Sequence, residues 1–139
     1  MPATEQHKQL VKTTFRKIVP ISEKTVQSFY DRLFELDPSA RALFKGNIKE
    51  QGRKFIQMLA VIVGGLDRIE EIFPAIGSLG KRHVKYGVTT SQQYTTVGIA
   101  LLWSIENALG PDFTPEVKEA WQAVYEVLAS TAIQAMHKI

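Results

Sequence analysis

Several ingredients of common functional sites are missing from this sequence of 139 residues. It contains no cysteine, which excludes disulfides, thiolate metal sites and cysteine nucleophiles. No run of 18 apolar residues is present to span a membrane, and the first residues lack the apolar core of a secretion signal. There is no GxGxxG motif after a strand, no P-loop and no HExxH zinc motif. We therefore expect a cytoplasmic protein without these nucleotide and zinc sites.

Charge and composition narrow the class further. The 17 basic and 14 acidic residues give a net charge of +3 that is spread along the chain, which is not the footprint of a nucleic-acid binder. A modest basic excess suits a small anionic ligand equally well. Hydrophobic residues make up 45% of the sequence, enough for the core of one domain over residues 1–139.

Alternation typical of strands is sustained nowhere, and the apolar residues instead recur at helical spacing. We predict an all-α fold of about six main helices and one or two short ones. Thr4, Ser22 and Thr114 are candidate helix N-caps. Gly98 lies inside an apolar helical stripe, which indicates a close crossing with another helix.

One face of a predicted helix carries a histidine where an apolar residue is expected. Ile72, Ile76, Leu79 and His83 follow one another at steps of four, three and four residues, so they share one face. Gly87 ends the helix soon afterwards. A single imidazole is therefore expected to point into the core.

Tyr30 and Gln51 break the apolar faces of two other helices in the same way. Burial without a partner costs roughly 1–3 kcal/mol each, so the alternative is that nearby backbone groups satisfy them. One interior histidine cannot hold zinc alone. It can hold a haem iron, because the porphyrin supplies four ligands. His7 and His137, near the termini, are expected to be surface residues.

At these residues the chain resembles the globins, specifically single-domain bacterial haemoglobins related to the globin domains of flavohaemoglobins, and it is also similar to neuroglobin. The resemblance covers nearly the whole chain. Its most specific segment runs from Leu79 through His83 to Val88 and continues at Tyr94–Gly98. Further similar segments are Ser28–Phe34, Ala42–Phe44, Gln51–Phe55, and Ala120–Trp121 with Tyr125.

The resemblance implies a globin fold around haem b, with His83 as the iron ligand. It implies that the second imidazole nitrogen donates to a backbone carbonyl near Leu79. Tyr30 and Gln51 would face the bound gas, with Phe55 one turn beyond Gln51. The remaining candidate haem contacts are Phe44, Lys54, Met58, Leu79, Arg82, Val88, Tyr94, Val97 and Leu101, with Lys54, Arg82 or Lys85 near the propionates.

By the same resemblance, we expect reversible binding of dioxygen and other diatomic ligands. Two alternatives stay open: nitric oxide dioxygenation with a separate reductase, and a haem-based redox or ligand sensor. Flavohaemoglobin globin domains carry a glutamate in the last helix, where this chain has Met136. This departure weakens the case for peroxidase-like chemistry. The oligomeric state does not follow from the sequence.

Overall fold

A computed structural model describes residues 3–43, 47–85, 87–88 and 90–136, with only the backbone for Lys85. No β-strand occurs within these ranges, and the predicted all-α fold is confirmed. No helix of the described chain has the length and apolarity that crossing a membrane requires. The main helices are α1 Glu5–Ile18, α2 Ser22–Leu36, α3 Ile48–Gly64, α4 Ile69–Lys85, α5 Ser91–Leu109 and α6 Pro115–Met136.

Short 3-10 turns join several of these helices. They span Val19–Ile21, Pro38–Leu43, Leu66–Arg68 and Gly110–Asp112. α6 packs along α1 and α4, and α2 packs along α5 and α3. α3 and α4 touch where they are joined, because a Cβ on Gly65 would lie 3.1 Å from Ile72 Cγ2. Along the described parts of their remaining lengths they form no extensive packed pair, which leaves room for a cavity.

Local sequence signals explain most helix starts. The Thr4 hydroxyl accepts from the His7 N–H, and the His7 ring accepts from the Thr4 N–H, so α1 begins with a capping box. His7 is thus a capping residue rather than the simple surface histidine we expected. Thr114 caps α6 as predicted, by accepting from the Val117 N–H at 3.2 Å. The predicted Ser22 cap is wrong, because Ser22 is the first residue of α2 and its N-cap is Ile21, without a side-chain bond.

Two helix crossings that involve α6 depend on glycine. A Cβ on Gly98 would lie 2.6 Å from Tyr125 Cε2, which confirms the predicted close approach, here between α5 and α6. A Cβ on Gly80 would lie 2.5 Å from the Ala132 carbonyl oxygen, so α4 and α6 are even more closely packed at backbone level. The second crossing had no distinctive signal in the sequence.

Candidate functional site

A cavity of about 560 Å³ lies between α3 and α4, with contributions from α2, α5 and α6. Its volume falls within the range of roughly 300–1,000 Å³ that is typical of ligand pockets. Most of its lining is apolar, and a few polar side chains converge on it. The predicted site residues among its lining are Tyr30, Gln51, Lys54, Phe55, Met58, Leu79, Arg82, His83, Val88, Tyr94, Val97 and Leu101.

The cavity has two walls that differ in construction. We call Tyr30, Gln51, Lys54, Phe55 and Met58 the α2–α3 wall, after the helices that carry them. The α4–α5 wall consists of Leu79, Arg82, His83, Val88 and Tyr94, of which Val88 lies between the two helices.

His83 is fixed within its own helix on the α4–α5 wall. Its Nδ1 lies 2.8 Å from the Leu79 carbonyl oxygen, which confirms the predicted hydrogen-bond acceptor. Because a carbonyl oxygen only accepts, this hydrogen bond requires the tautomer that carries the proton on Nδ1. The Val88 N–H donates to the His83 carbonyl at 2.8 Å, and Gly87 turns the chain with a φ of +97°. Burial lowers the pKa of His83 and outweighs the opposite effect of the hydrogen bond to Leu79. The lowered pKa favours the neutral ring.

Tyr94 lies on the same wall and is 8% exposed. Its ring packs with Ile76 and Ala132 in a small core cluster between α4, α5 and α6. Within the described residues its buried hydroxyl has no hydrogen-bond partner. Its backbone carbonyl accepts from the Tyr125 hydroxyl at 2.5 Å, so the backbone of α5 is tied to α6. Burial raises the pKa of Tyr94, and its phenol stays protonated at neutral pH.

Tyr30 is the most deeply buried polar residue of the α2–α3 wall, at 2% exposure. Its ring stacks on Phe34 at a centroid distance of 5.9 Å and meets Phe29 at 5.2 Å. Phe29 in turn contacts Phe55 at 4.8 Å, so aromatic packing links α2 to α3. Burial raises the pKa of Tyr30 to about 12, which keeps the phenol as a hydrogen-bond donor.

A close helix crossing brings the start of α3, which carries Gln51, against α2. A Cβ on Gly52 would lie 2.5 Å from Val26 Cγ1 and 3.7 Å from Tyr30 Cε2. Because only glycine permits this approach, the start of α3 lies directly against α2. Gln51 is half-buried and lines the same cavity. The Asn47 side chain caps the N-terminus of α3 by accepting hydrogen bonds from the Lys49 and Glu50 N–H groups.

Two exposed cations extend the lining toward solvent. Lys54 follows Gln51 on α3, and Arg82 precedes His83 on α4. They carry charge at the solvent side of an otherwise mostly apolar space. The predicted contact Phe44 and the predicted surface histidine His137 lie outside the described residues, as does the side chain of Lys85.

Some lining residues had not been predicted. Gln93 lines the cavity and its Nε2 donates to the Gly87 carbonyl at 3.1 Å. Its side-chain oxygen also accepts from the Thr90 N–H in a capping box at the start of α5. The Thr-x-x-Gln pattern was a usable signal for this role. The sequence contained no such signal for four other lining residues, Asp37, Leu128, Ala129 and Ala132.

The donor set suits a cofactor that brings most of its own metal ligands. No group of three or more histidine, aspartate or glutamate side chains capable of holding a metal ion occurs in the described parts of the chain. A single, backbone-fixed, neutral histidine in an apolar cavity instead fits the axial position of a haem. The other polar groups of the lining include the Tyr94 hydroxyl, which has no hydrogen-bond partner among the described residues, and the two exposed cations.

Comparisons with known proteins agree with this geometry. A family model described as Globin matches residues 27–132. The chain is 29% identical to an uncharacterized globin-like protein of Aquifex aeolicus, over 98% of this chain and 96% of that protein. It is 28% identical to neuroglobin of Danio rerio, over 78% of this chain and 77% of that protein.

Longer relatives and a solved structure match as well. A flavohemoprotein of Halalkalibacterium halodurans is 27% identical over 98% of this chain, but the match covers only 34% of that protein. The chain thus spans about a third of this relative's length. A solved structure of an engineered carbene transferase, made from a candidate nitric oxide dioxygenase of Rhodothermus marinus, has a TM-score of 0.86 and 26% identity. The match covers 98% of this chain and 94% of that one.

Proposed function

The chain belongs to the globin family, and we propose that it reversibly binds dioxygen at a haem b held by His83, with Tyr30 and Gln51 as hydrogen-bond donors to the gas. The observation that carries this proposal is that all three side chains line one cavity of about 560 Å³. Haem, when bound, supplies an iron that takes four porphyrin ligands, one protein ligand and one diatomic ligand.

His83 would provide the protein ligand through Nε2. The Leu79 carbonyl engages Nδ1 at 2.8 Å, which fixes both the ring orientation and the tautomer. The lowered pKa favours the neutral ring that ligation requires. Phe55, Met58, Leu79, Val88, Val97 and Leu101 would exclude water from the cofactor's faces, while Lys54 and Arg82 would pair with its carboxylates.

Tyr30 and Gln51 would raise the affinity for a ligand that develops negative charge. A neutral hydrogen bond contributes roughly 0.5–1.5 kcal/mol, so two donors contribute roughly 1–3 kcal/mol. That is about a five- to 150-fold tighter complex. Slow release of this kind favours holding or consuming dioxygen over transporting it.

Nitric oxide dioxygenation is the second candidate, because a solved relative is described as a candidate for that activity. The match to the flavohemoprotein of Halalkalibacterium halodurans covers about a third of its length, so we expect these 139 residues to need an added reductase for turnover. An assay of nitric oxide consumption with NADH and an added reductase tests this candidate. A sensor, in which Gln51 or Tyr30 binds the iron directly, would instead give a six-coordinate spectrum without added ligand.

The test of the primary proposal is the dioxygen off-rate of the Tyr30→Phe variant. We expect a rise of roughly two- to 13-fold, the equivalent of one lost neutral hydrogen bond. Tyr94→Phe is the matched control, because it also removes a tyrosine hydroxyl, but from the α4–α5 wall. An off-rate unchanged by Tyr30→Phe, or raised equally by Tyr94→Phe, would contradict the assignment.

A further inference from the structure

The charges that the sequence spreads along the chain are unevenly distributed between segments that meet in the fold. Residues 37–54 and 79–88 together hold eight of the 17 basic residues and two of the 14 acidic residues. Their formal net charge is +6, and that of the remaining chain is −3. A single net value of +3 hides this asymmetry.

The two basic segments meet at the cavity. Leu43, at the end of the 3-10 turn before α3, packs against the turn after α4, since a Cβ on Gly87 would lie 2.8 Å from Leu43 Cδ2. Lys54 and Arg82, one from each segment, line the cavity itself. We call the exposed basic residues of these segments the cationic rim, namely Arg41, Lys49, Arg53, Lys54, Lys81 and Arg82.

The cationic rim is not neutralised within the described chain. The ion pairs found there, such as Lys12–Asp67 and Lys17–Asp112, lie elsewhere, and none includes a rim residue. Of the two acidic residues in these segments, Asp37 accepts from the backbone and hydroxyl of Ser39. In the haem-bound protein the cofactor's carboxylates would offset Lys54 and Arg82. The four remaining rim residues still produce a positive potential that attracts an acidic partner.

We propose that the cationic rim is the docking surface for a separate electron-donor protein with an acidic face. The inference rests on the proposed function, because a globin whose iron reaches the ferric state needs one electron to bind dioxygen again. That electron leaves the reduced donor, which is oxidised by one electron, and converts ferric iron to ferrous iron. Lys54 and Arg82 are exposed rim residues that also line the cavity, so a donor docked on them lies near the cofactor's edge.

Lys49, Arg53 and Lys81 provide the cleanest test, because they are exposed and do not line the cavity. The probe is oxidised flavodoxin, a small acidic flavoprotein, titrated calorimetrically into the ferric protein at low and high salt. The triple change Lys49→Glu, Arg53→Glu, Lys81→Glu should weaken binding at low salt by at least about tenfold. High salt should weaken binding to the unmodified chain in the same direction, because it screens exposed charges.

A second triple variant controls for net charge alone. Arg16→Glu, Lys24→Glu, Lys118→Glu changes the charge by the same amount at exposed positions outside both basic segments. It should bind flavodoxin with an affinity close to that of the unmodified chain. Glu50→Lys adds a positive charge beside the rim and should tighten binding.

Reduction kinetics provide a second readout. Stopped-flow reduction by flavodoxin hydroquinone should slow in the rim variant, whereas reduction by free reduced riboflavin, which has no acidic protein face, should change far less. Equal effects of the two triple variants, or flavodoxin binding indifferent to salt, would overturn the proposal. So would a rim variant that loses binding to phosphatidylglycerol vesicles but keeps flavodoxin binding. If the protein takes up no haem at all, the proposed function fails first, and an absorption spectrum recorded beforehand identifies that case.

Discussion

The two walls of the cavity hold their polar groups by different means. On the α4–α5 wall, His83 is oriented by the Leu79 carbonyl, one turn earlier in the same helix. On the α2–α3 wall, Tyr30 and Gln51 come from separate helices, and the Gly52–Val26 crossing brings those helices together. The first arrangement is local and the second depends on tertiary packing. The position of His83 should therefore tolerate distant changes better than the positions of Tyr30 and Gln51.

Removing His83 tests the α4–α5 wall most severely. His83→Ala deletes the only histidine that lines the cavity among the described residues, so we expect loss of haem or at least tenfold faster transfer of haem to apomyoglobin. His7→Ala is the matched control, because His7 lies at the start of α1 and should leave haem retention unchanged. Equal retention by His83→Ala and the unmodified chain would contradict the assigned ligand.

Acidification tests the same wall through protonation. Burial holds the pKa of His83 below its ordinary value of 6.5. The unfolded chain therefore takes up the proton first, and the free energy of unfolding of the haem-free protein should fall as the pH drops below 6.5 and level off below the folded-state pKa. Urea unfolding at a series of pH values measures this slope. The dependence of the free energy of unfolding on pH should be weaker in His83→Ala. If it is unchanged, groups other than His83 cause it.

The helix crossings behind the two walls should differ in how well they accept a methyl group. Gly80→Ala would place Cβ 2.5 Å from the Ala132 backbone oxygen, whereas Gly52→Ala would meet the Val26 side chain at the same distance. Overpacking costs roughly 1–3 kcal/mol, and we expect Gly80→Ala at the upper end because backbone yields less than a side chain. Chemical denaturation compares the two variants.

Gly64→Ala is the control for both, since nothing lies within 4 Å of its added Cβ. It should stabilise the protein by roughly 0.4–1 kcal/mol through reduced freedom of the unfolded chain. A larger loss of stability in Gly52→Ala than in Gly80→Ala would contradict this ranking. It would mean that the backbone contact between α4 and α6 is not the tighter of the two constraints.

The smallest effect is expected at Tyr94, whose buried hydroxyl lacks a partner among the described residues. Tyr94→Phe removes a desolvated polar group, so the haem-free protein should be unchanged or stabilised by up to about 1 kcal/mol. The haem-bound protein should gain less, if the hydroxyl donates to the cofactor's edge. Comparing thermal unfolding with and without haem measures the difference. A clear loss of stability in the haem-free variant would reveal a bond to that hydroxyl.

Local periodicity was sufficient to predict much of the site. The spacing of Ile72, Ile76 and Leu79 assigned His83 to an inward face, and the same phase argument assigned Tyr30 and Gln51. All three line the cavity. Their roles as ligand and donors stay predictions.

Other features depended on distances between helices, which no single helix encodes. Gly80 looks like any helical glycine until α6 packs against it. Only the three-dimensional structure shows that the Tyr94 hydroxyl has no hydrogen-bond partner among the described residues. The net charge likewise concealed the cationic rim, because residues 37–54 and 79–88 are distant in sequence.

The most direct test is the absorption spectrum of the purified protein with added hemin, recorded in the ferric and ferrous states and then with dioxygen and carbon monoxide. We expect stoichiometric uptake of haem, a band that shifts with each gas, and loss of these shifts or of haem itself in His83→Ala. Absence of a haem band after hemin is added would contradict the account, and so would haem binding that does not depend on His83.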